Sequence, residues 1–289
     1  MRVALIGAGR MGSAMGGRIA EAGHDLVVFN RTRPRAAEVA ERIGGRVAET
    51  AREAAESAEV CVVSLADDAA VTATYLADDG LVVGVQPGAV VCDTSTVAPA
   101  TVRSLAPLVA QQGATLLDTP VSGSVSTVES GTLTIMVGGD QTALDHVRIV
   151  LGAFAKSIFH LGDVGAGATM KLVVNSLLGS LNVAVSEALV LAEKAGLDRE
   201  IVYDIFESGA AGAPYVKYKR AAFLQPGEVP VAFSLALVAK DLELIHDLAQ
   251  QTGTRMDQAE ASRQLVAEAI QAGLAERDIS EVASFLRHE

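Results

Sequence analysis

Positive charge is scarce in this sequence. Lys and Arg number 23 against 35 Asp and Glu, a formal net charge of −12, and no long basic run occurs. Phosphate backbones and anionic lipids are met by Lys and Arg, so neither nucleic acid nor a membrane surface is an expected partner. Any anionic ligand must be held by local positive groups against an unfavourable overall field. Cysteine is scarce too. Cys61 and Cys92 each lie in an apolar run that reads as a buried strand (59–64 and 89–93), the setting of small, reduced core residues. Uninterrupted apolar runs are short. None reaches the roughly eighteen residues of a membrane span, and Val3 to Ile6 is too brief for a secretory signal. The expectation is a soluble, cytoplasmic protein. The histidines are scattered without HxxxH or paired-Cys spacing, so no metal site is expected, and no G-x-S-x-G elbow is present. No repeat or low-complexity tract breaks the chain.

Half of the residues are of hydrophobic type, 50%, enough to bury one large core or two moderate ones. The first part alternates. Strands are expected at 2–6, 25–29, 60–63, 89–92, 115–117 and 132–137. Helices are expected at 11–22, from Pro34, from about Asp67, at 99–112 and at 141–154. Short apolar strands alternating with helices imply an α/β fold, a Rossmann-type doubly wound, mostly parallel sheet. After Gly162 the pattern changes. A long proline-free run from Ala166 to Ala195 reads as one helix, and only helical patterns follow. The expected organisation is an α/β dinucleotide-binding domain over residues 1–162 and an all-α C-terminal domain over 163–289, joined by the long helix. So apolar a helical half suggests a homodimer.

The segment Gly7-Ala8-Gly9-Arg10-Met11-Gly12 sits between the first strand and the first helix. In that setting Gly7 allows a tight turn, Gly9 lets backbone approach a pyrophosphate, and Gly12 lets the helix pack close to the sheet. The helix N-terminus then offers N–H groups to phosphate. A glycine-rich turn without a ligand is the competing reading, and the strand–turn–helix context argues against it. The second strand ends at Phe29 and is followed by Asn30-Arg31-Thr32-Arg33. No carboxylate stands there to hold a ribose 2′-hydroxyl. Two guanidiniums and a hydroxyl suit a 2′-phosphate, so the expected cofactor is NADP(H) rather than NAD. A solvated basic turn is the alternative.

Four further stretches carry polar chemistry: Asp93-Thr94-Ser95-Thr96 at a strand end, Asp118-Thr119-Pro120-Val121-Ser122-Gly123-Ser124 in a turn, Gly165 to Asn175 opening the long helix, and Lys240-Asp241-Leu242 in an apolar helical run. Lys171 and Asn175 are four apart and share a helix face. Among Met170, Leu172, Val173 and Val174, the lysine either snorkels to the surface or sits in a pocket able to exchange a proton near neutral pH.

With these motifs in this order, the chain resembles the β-hydroxyacid dehydrogenase family, which includes 3-hydroxyisobutyrate dehydrogenases, tartronate semialdehyde reductases and glyoxylate/succinic semialdehyde reductases. The resemblance covers essentially the whole chain. Gly7 to Gly12 looks like the family's G-x-G-x-M-G loop. Asp118 to Gly123 with Gly131-Thr132-Leu133 looks like its substrate motif, Gly165 to Asn175 like its G-x-G-x-x-x-K-x-x-x-N catalytic motif, and Lys240-Asp241-Leu242 like its K-D-L motif. The resemblance implies NADP(H)-dependent interconversion of a small hydroxy acid with its semialdehyde or oxo acid. By carry-over, Lys171 is the general acid/base and Asn175 orients the substrate. Ser122 and Gly123, with Ser124 beside them, hold its carboxylate. Thr96 lies near the nicotinamide ribose, with Leu65 and Ala66 on the nicotinamide-side loop. Lys240 closes over cofactor and substrate, and Phe233, ahead of it by two helical turns, is the best aromatic for the pocket wall.

Two positions depart from the family pattern. Ser124 replaces the second glycine of the substrate motif, and Leu65-Ala66-Asp67 replaces Leu-Pro-Asp. The alternative activity is an imine reductase of the same architecture, whose members carry Asp or Tyr at the lysine position. A non-catalytic dinucleotide-binding domain would be expected to have lost Lys171, Asn175 or the Ser122-Gly123 turn. A 6-phosphogluconate dehydrogenase would need more chain and more basic residues.

Overall fold

The short apolar runs of the first half assemble into a parallel sheet. In the computed structural model, which describes Met1–His288, β1 (Arg2–Ile6), β2 (Asp25–Phe29), β3 (Arg46–Val47), β4 (Val60–Val63), β5 (Val90–Asp93) and β6 (Thr115–Asp118) lie in the order β3-β2-β1-β4-β5-β6. Every pairing is parallel. The chain builds outward from β1 in one direction, then returns to β4 and builds in the other. The carboxyl ends of β1, β2 and β4 are therefore aligned at the switch point, with Ile6 in register with Phe29 and Val63. Ligands of such sheets gather there.

Alternate residues of each strand feed two separate cores. Val3, Leu5, Val28, Val62 and Cys92 belong to one, and Ala4, Ile6, Val27, Cys61 and Val91 to the other. Burial on both faces is why these strands read as continuous apolar runs. It also puts the two cysteines in different cores, free and buried. Burial pushes the Cys61 thiol up to about 12 and that of Cys92 well above its usual range, so both are inert packing residues.

The helices of this part are α1 (Arg10–Glu21), α2 (Arg33–Ile43), α3 (Ala51–Glu56), α4 (Asp68–Leu76), α5 (Leu81–Gly84), α6 (Pro99–Gln111), α7 (Val125–Glu129) and α8 (Gln141–Leu151). The strand expected at 132–137 exists as β8 (Leu133–Val137), but it belongs to a second sheet. It pairs antiparallel with β7 (Val121–Ser122) and parallel with β9 (Ala155–His160). β7 is too short to show periodicity, and β9 mixes polar with apolar positions, which hides both in the sequence.

The long helix is α9 (Ala166–Lys194). Packing divides the chain into two compact units, Met1–Lys171 and the part from Leu172 onward, so the division falls within α9. The second unit is helical, as expected: α10 (Arg199–Ser208), α11 (Pro214–Leu224), α12 (Leu235–Thr252), α13 (Asp257–Ala269) and α14 (Val282–His288), with one π-helical and one 3₁₀ turn between the last two. By length and composition α9 is apolar enough to cross a membrane. Core packing accounts for part of that apolarity. Leu172, Val183, Val185, Leu189 and Val190 are core residues, and Asn175, Asn182 and Ser186 are buried with polar partners.

Candidate active site

The glycine loop has the geometry its sequence requires. Gly7 has φ +105°, open to glycine at little cost, and a Cβ there would run into the Ser64 carbonyl. A Cβ at Gly12 would run into the Gly7 carbonyl, so α1 packs on the loop as closely as backbone permits. Gly9 differs. Its φ is −73°, and an added Cβ meets no protein atom within 4 Å. The fold itself does not demand glycine at this position. Its missing side chain leaves open space over the start of α1, where no side chain caps the helix and no acidic residue occupies the first turn. Helix starts of this kind offer free N–H groups to an anion. Ala8 donates its N–H to Asn30 Oδ1 at 3.0 Å, and Asn30 Nδ2 donates to the Thr32 carbonyl at 3.1 Å. Asn30 thus ties the glycine loop to the turn after β2. Arg10 opens α1 and is exposed, and Met11 follows it half-buried.

In that turn Thr32 is the N-cap of α2 and Arg31 is exposed. Arg33 donates to both carboxylate oxygens of Glu49, at 2.7 and 3.0 Å. A 2′-phosphate would compete with Glu49 for this guanidinium. Nothing in the sequence marks Glu49 as its partner.

Beside the glycine loop, a buried relay links the ends of β4 and β5. Tyr75 donates its hydroxyl to Asp93 Oδ2 at 2.8 Å, and Ser95 N–H donates to Asp93 Oδ1 at 2.9 Å. The Leu65 N–H donates to Ser95 Oγ at 3.0 Å. Asp93 and Tyr75 are fully buried. Burial pushes the Asp93 carboxyl up, opposed by its bonds from Ser95 and Tyr75. The relay fixes Leu65, with Ala66 after it, relative to Ser95 and the half-buried Thr96. Tyr75 was not legible as its anchor, because it sits in an unremarkable helical pattern. Asp67, next in the departing Leu65-Ala66-Asp67 loop, caps α4 by accepting from Ala70 N–H at 2.7 Å.

The substrate-motif turn follows β6. Ser122 ends β7, and Gly123 has φ +143°, with a Cβ there blocked by Thr127 Oγ1 and Leu133. Ser124 is the N-cap of α7. Its N–H donates to Thr127 Oγ1 at 2.8 Å, and its hydroxyl lies 2.8 Å from that of Ser126. What the serine adds to a glycine at this position is the hydroxyl contact with Ser126. Asp118, at the head of the motif, accepts from the Gly165 and Ala168 N–H groups, each at 2.7 Å. Burial pushes its carboxyl up, and these backbone bonds oppose the shift. Lys171 lies half-buried on α9, one turn beyond Ala168.

In the second unit, Asn175 is buried and donates Nδ2 to Asp241 Oδ2 at 2.5 Å. Lys240 Nζ lies 2.9 Å from Asp241 Oδ1. Asp241 thus joins the asparagine of one motif to the lysine of another. Phe233 does not lie on the helix of Lys240. It precedes Ser234, the N-cap of α12, and its backbone N–H faces Asp278 Oδ2 at 3.3 Å. Among the described residues no cluster of His, Cys, Asp and Glu could hold a metal.

Residues 2–162 match the family model for the NAD binding domain of 6-phosphogluconate dehydrogenase, and residues 165–286 match that for the NAD-binding domain of NADP-dependent 3-hydroxyisobutyrate dehydrogenase. A probable mitochondrial 3-hydroxyisobutyrate dehydrogenase of Dictyostelium discoideum is 33% identical, over 98% of this chain and 90% of its own length. The structure of Mycobacterium tuberculosis 3-hydroxyisobutyrate dehydrogenase with L-serine matches with TM-score 0.84 and 32% identity over 99% of both chains. That of Psf3 in complex with NADP+ and 2-OPP matches with TM-score 0.90 and 29% identity, over 98% of this chain and 99% of that one. The chain belongs to the β-hydroxyacid dehydrogenase family and is an NAD(P)-dependent oxidoreductase of that type. An imine reductase from Pseudomonas sp. shares the fold at TM-score 0.66 and 20% identity, over 100% of this chain and 99% of that one.

Proposed function

We propose that this protein is an NADP(H)-dependent reductase or dehydrogenase that interconverts a small hydroxy acid and its semialdehyde or oxo acid, with Lys171 as general acid/base. One observation carries the reading. The glycine loop, the Ser122-Gly123 turn and Lys171 all fall within the compact unit Met1–Lys171. In this reading Gly7 to Gly12 receive the pyrophosphate, and Asn30, Arg31, Thr32 and Arg33 receive the 2′-phosphate. Leu65, Ala66 and Thr96 flank the nicotinamide half. When bound, the nicotinamide supplies or takes up a hydride. Ser122 and Gly123 hold the substrate carboxylate, and Ser124 stiffens that turn. The Lys171 ammonium gives its proton to the oxygen that becomes a hydroxyl, and its charge stabilises the alkoxide as it develops. In the oxidative direction the neutral amine takes that proton back. Asn175 orients the substrate, held by Asp241. Lys240 is assigned to substrate and cofactor by the family pattern, and Phe233 to the substrate from its place just ahead of the helix that carries Lys240.

Exposed Leu177, Leu191, Ile201 and Ile205 in the second unit support a homodimer, which light scattering reads directly. The two free, buried cysteines suit the reducing cytoplasm.

The test is a substrate panel. Glyoxylate, succinic semialdehyde, tartronate semialdehyde, methylmalonate semialdehyde and a cyclic imine are each offered with NADPH and with NADH, and absorbance of the reduced nicotinamide is followed. Oxidation of NADPH by one of the acidic carbonyl compounds is expected. Turnover of the imine alone would move the protein to the imine reductases, and a preference for NADH would overturn the role given to Arg31 and Arg33.

A further inference from the structure

We infer that Asp118 is a positioning residue for this reaction, setting Lys171 relative to the Ser122-Gly123 turn through the first turn of α9. The inference rests on the hydroxy-acid reading above and adds a residue that acts through others.

Asp118 is the last residue of β6 and is 1% exposed. It holds two pieces of the reading at once. Along the chain it leads through Thr119, Pro120 and Val121 to Ser122. Its backbone exchanges hydrogen bonds with Gly138 just past β8, Asp118 N–H to Gly138 O at 3.1 Å and Gly138 N–H to Asp118 O at 2.9 Å. Its side chain spans the start of α9, with Oδ1 accepting from Gly165 N–H and Oδ2 from Ala168 N–H. Lys171 follows Ala168 by one turn, on nearly the same helix face. A displacement of that turn is therefore a displacement of the lysine.

The seat is also tight. A Cβ at Gly167 would lie 2.5 Å from the Met136 carbonyl oxygen, 2.7 Å from that of Asp118 and 2.9 Å from Asp118 Oδ2. A Cβ at Gly138 would lie 2.5 Å from Asp118 Oδ1. Glycine at both positions lets the carboxylate and the helix start meet. Helix starts are commonly capped by the residue immediately before them. Here the acceptor comes from a distant strand, the one that leads into the carboxylate turn. A local cap would satisfy the same N–H groups without coupling the two stretches that address one substrate. Placement errors of about an ångström cost a catalyst on the order of 100-fold in rate.

Two variants test this. Asp118→Asn keeps the shape but replaces one acceptor oxygen with an NH2 that cannot accept. Gly167→Ala keeps the carboxylate and forces the helix start away from the Met136 and Asp118 carbonyls and, with them, from that carboxylate. For each, kcat, the KM for NADPH, the KM for the carbonyl substrate and the solvent deuterium isotope effect on kcat are measured, with thermal unfolding alongside. The expected result for both is a fall in kcat of roughly 10- to 100-fold. The KM for NADPH stays within about twofold, and the solvent isotope effect rises as proton delivery becomes limiting. The double variant should lose little more than the worse single one, because both changes break the same contact. A folded variant with kcat within about twofold of wild type overturns the inference. So does a loss that raises the KM for NADPH as much as it lowers kcat without moving the isotope effect, the mark of a purely structural role. If Asp118→Asn does not fold, Gly167→Ala decides by the same criteria. Failure of the underlying reading looks different: the wild type itself would reduce no acidic carbonyl compound, and the inference would fall with it.

Discussion

Asn175 and Asp241 are 66 residues apart in the chain, and Asn175 Nδ2 meets Asp241 Oδ2 at 2.5 Å inside the second unit. The same carboxylate faces Lys240 through its other oxygen. An asparagine and a lysine that belong to two separate motifs thus share one buried acceptor, which is 4% exposed.

Removing that acceptor should therefore be felt in both stability and turnover. Asp241→Ala leaves the buried amide of Asn175 without its partner, at a cost of about 1–3 kcal/mol. We expect kcat/KM to fall roughly tenfold or more, since Asn175 and Lys240 both lose their orientation. Asp241→Asn keeps a carbonyl oxygen and should lose less stability. Urea denaturation and steady-state kinetics check this, and an Asp241→Ala enzyme with unchanged stability and kcat/KM would contradict it.

Glu49 should weaken the affinity for NADPH by holding Arg33. Both side chains are exposed, so the ion pair is worth only about 0.2–1 kcal/mol. Glu49→Gln is expected to lower the KM for NADPH by about two- to fivefold while leaving that for NADH unchanged. The gain should shrink in high salt, because exposed charges are screened. Equal changes for the two cofactors would show that Arg33 does not read the 2′-phosphate.

The buried pair Lys219–Asp278 gives the second unit an acid-sensitive element. Lys219 Nζ donates to both Asp278 oxygens, at 2.6 and 2.8 Å, and Ala232 N–H adds a bond at 2.9 Å. Burial disfavours the charged carboxylate, but the Lys219 ammonium and the backbone donors outweigh it and hold the Asp278 carboxyl below its usual 3.8. A carboxyl depressed by folding contributes stability that is fully present above its unfolded pKa and is lost as pH falls through the folded one. The difference in unfolding free energy between wild type and Asp278→Asn should therefore be constant near neutrality and shrink below about pH 4. A difference independent of pH down to pH 2 would contradict this.

The parallel α/β architecture and the glycine loop were legible because their signals are local, whereas the strand order and the two-residue β3 were not. A strand, three glycines and a helix stand within about twenty residues, and burial on both faces leaves apolar runs no other element explains. That Lys171 and Asn175 lie on one long helix was legible from the proline-free run that holds them. What stayed hidden was contact over distance. Asp118 bonds Gly165 from 47 residues away, Tyr75 reaches Asp93 across 18, and Arg33 finds Glu49 across 16. No periodicity encodes such pairs, since they exist only once the strands are in register. The displacement of Phe233 from the helix of Lys240 has a similar origin: its backbone N–H is held by Asp278, far along the chain, and Ser234 caps the helix after it.

The most direct test of the account is Lys171→Ala, measured for turnover and for cofactor binding together. With Lys171 as the acid, the variant should still bind NADPH, by fluorescence titration, with a Kd within about twofold of wild type, while kcat for the acidic carbonyl substrate falls by roughly 100- to 10,000-fold. A variant that binds NADPH normally and keeps kcat within about threefold of wild type would show that the proton comes from another group, and the assignment of Lys171 as the acid would be wrong.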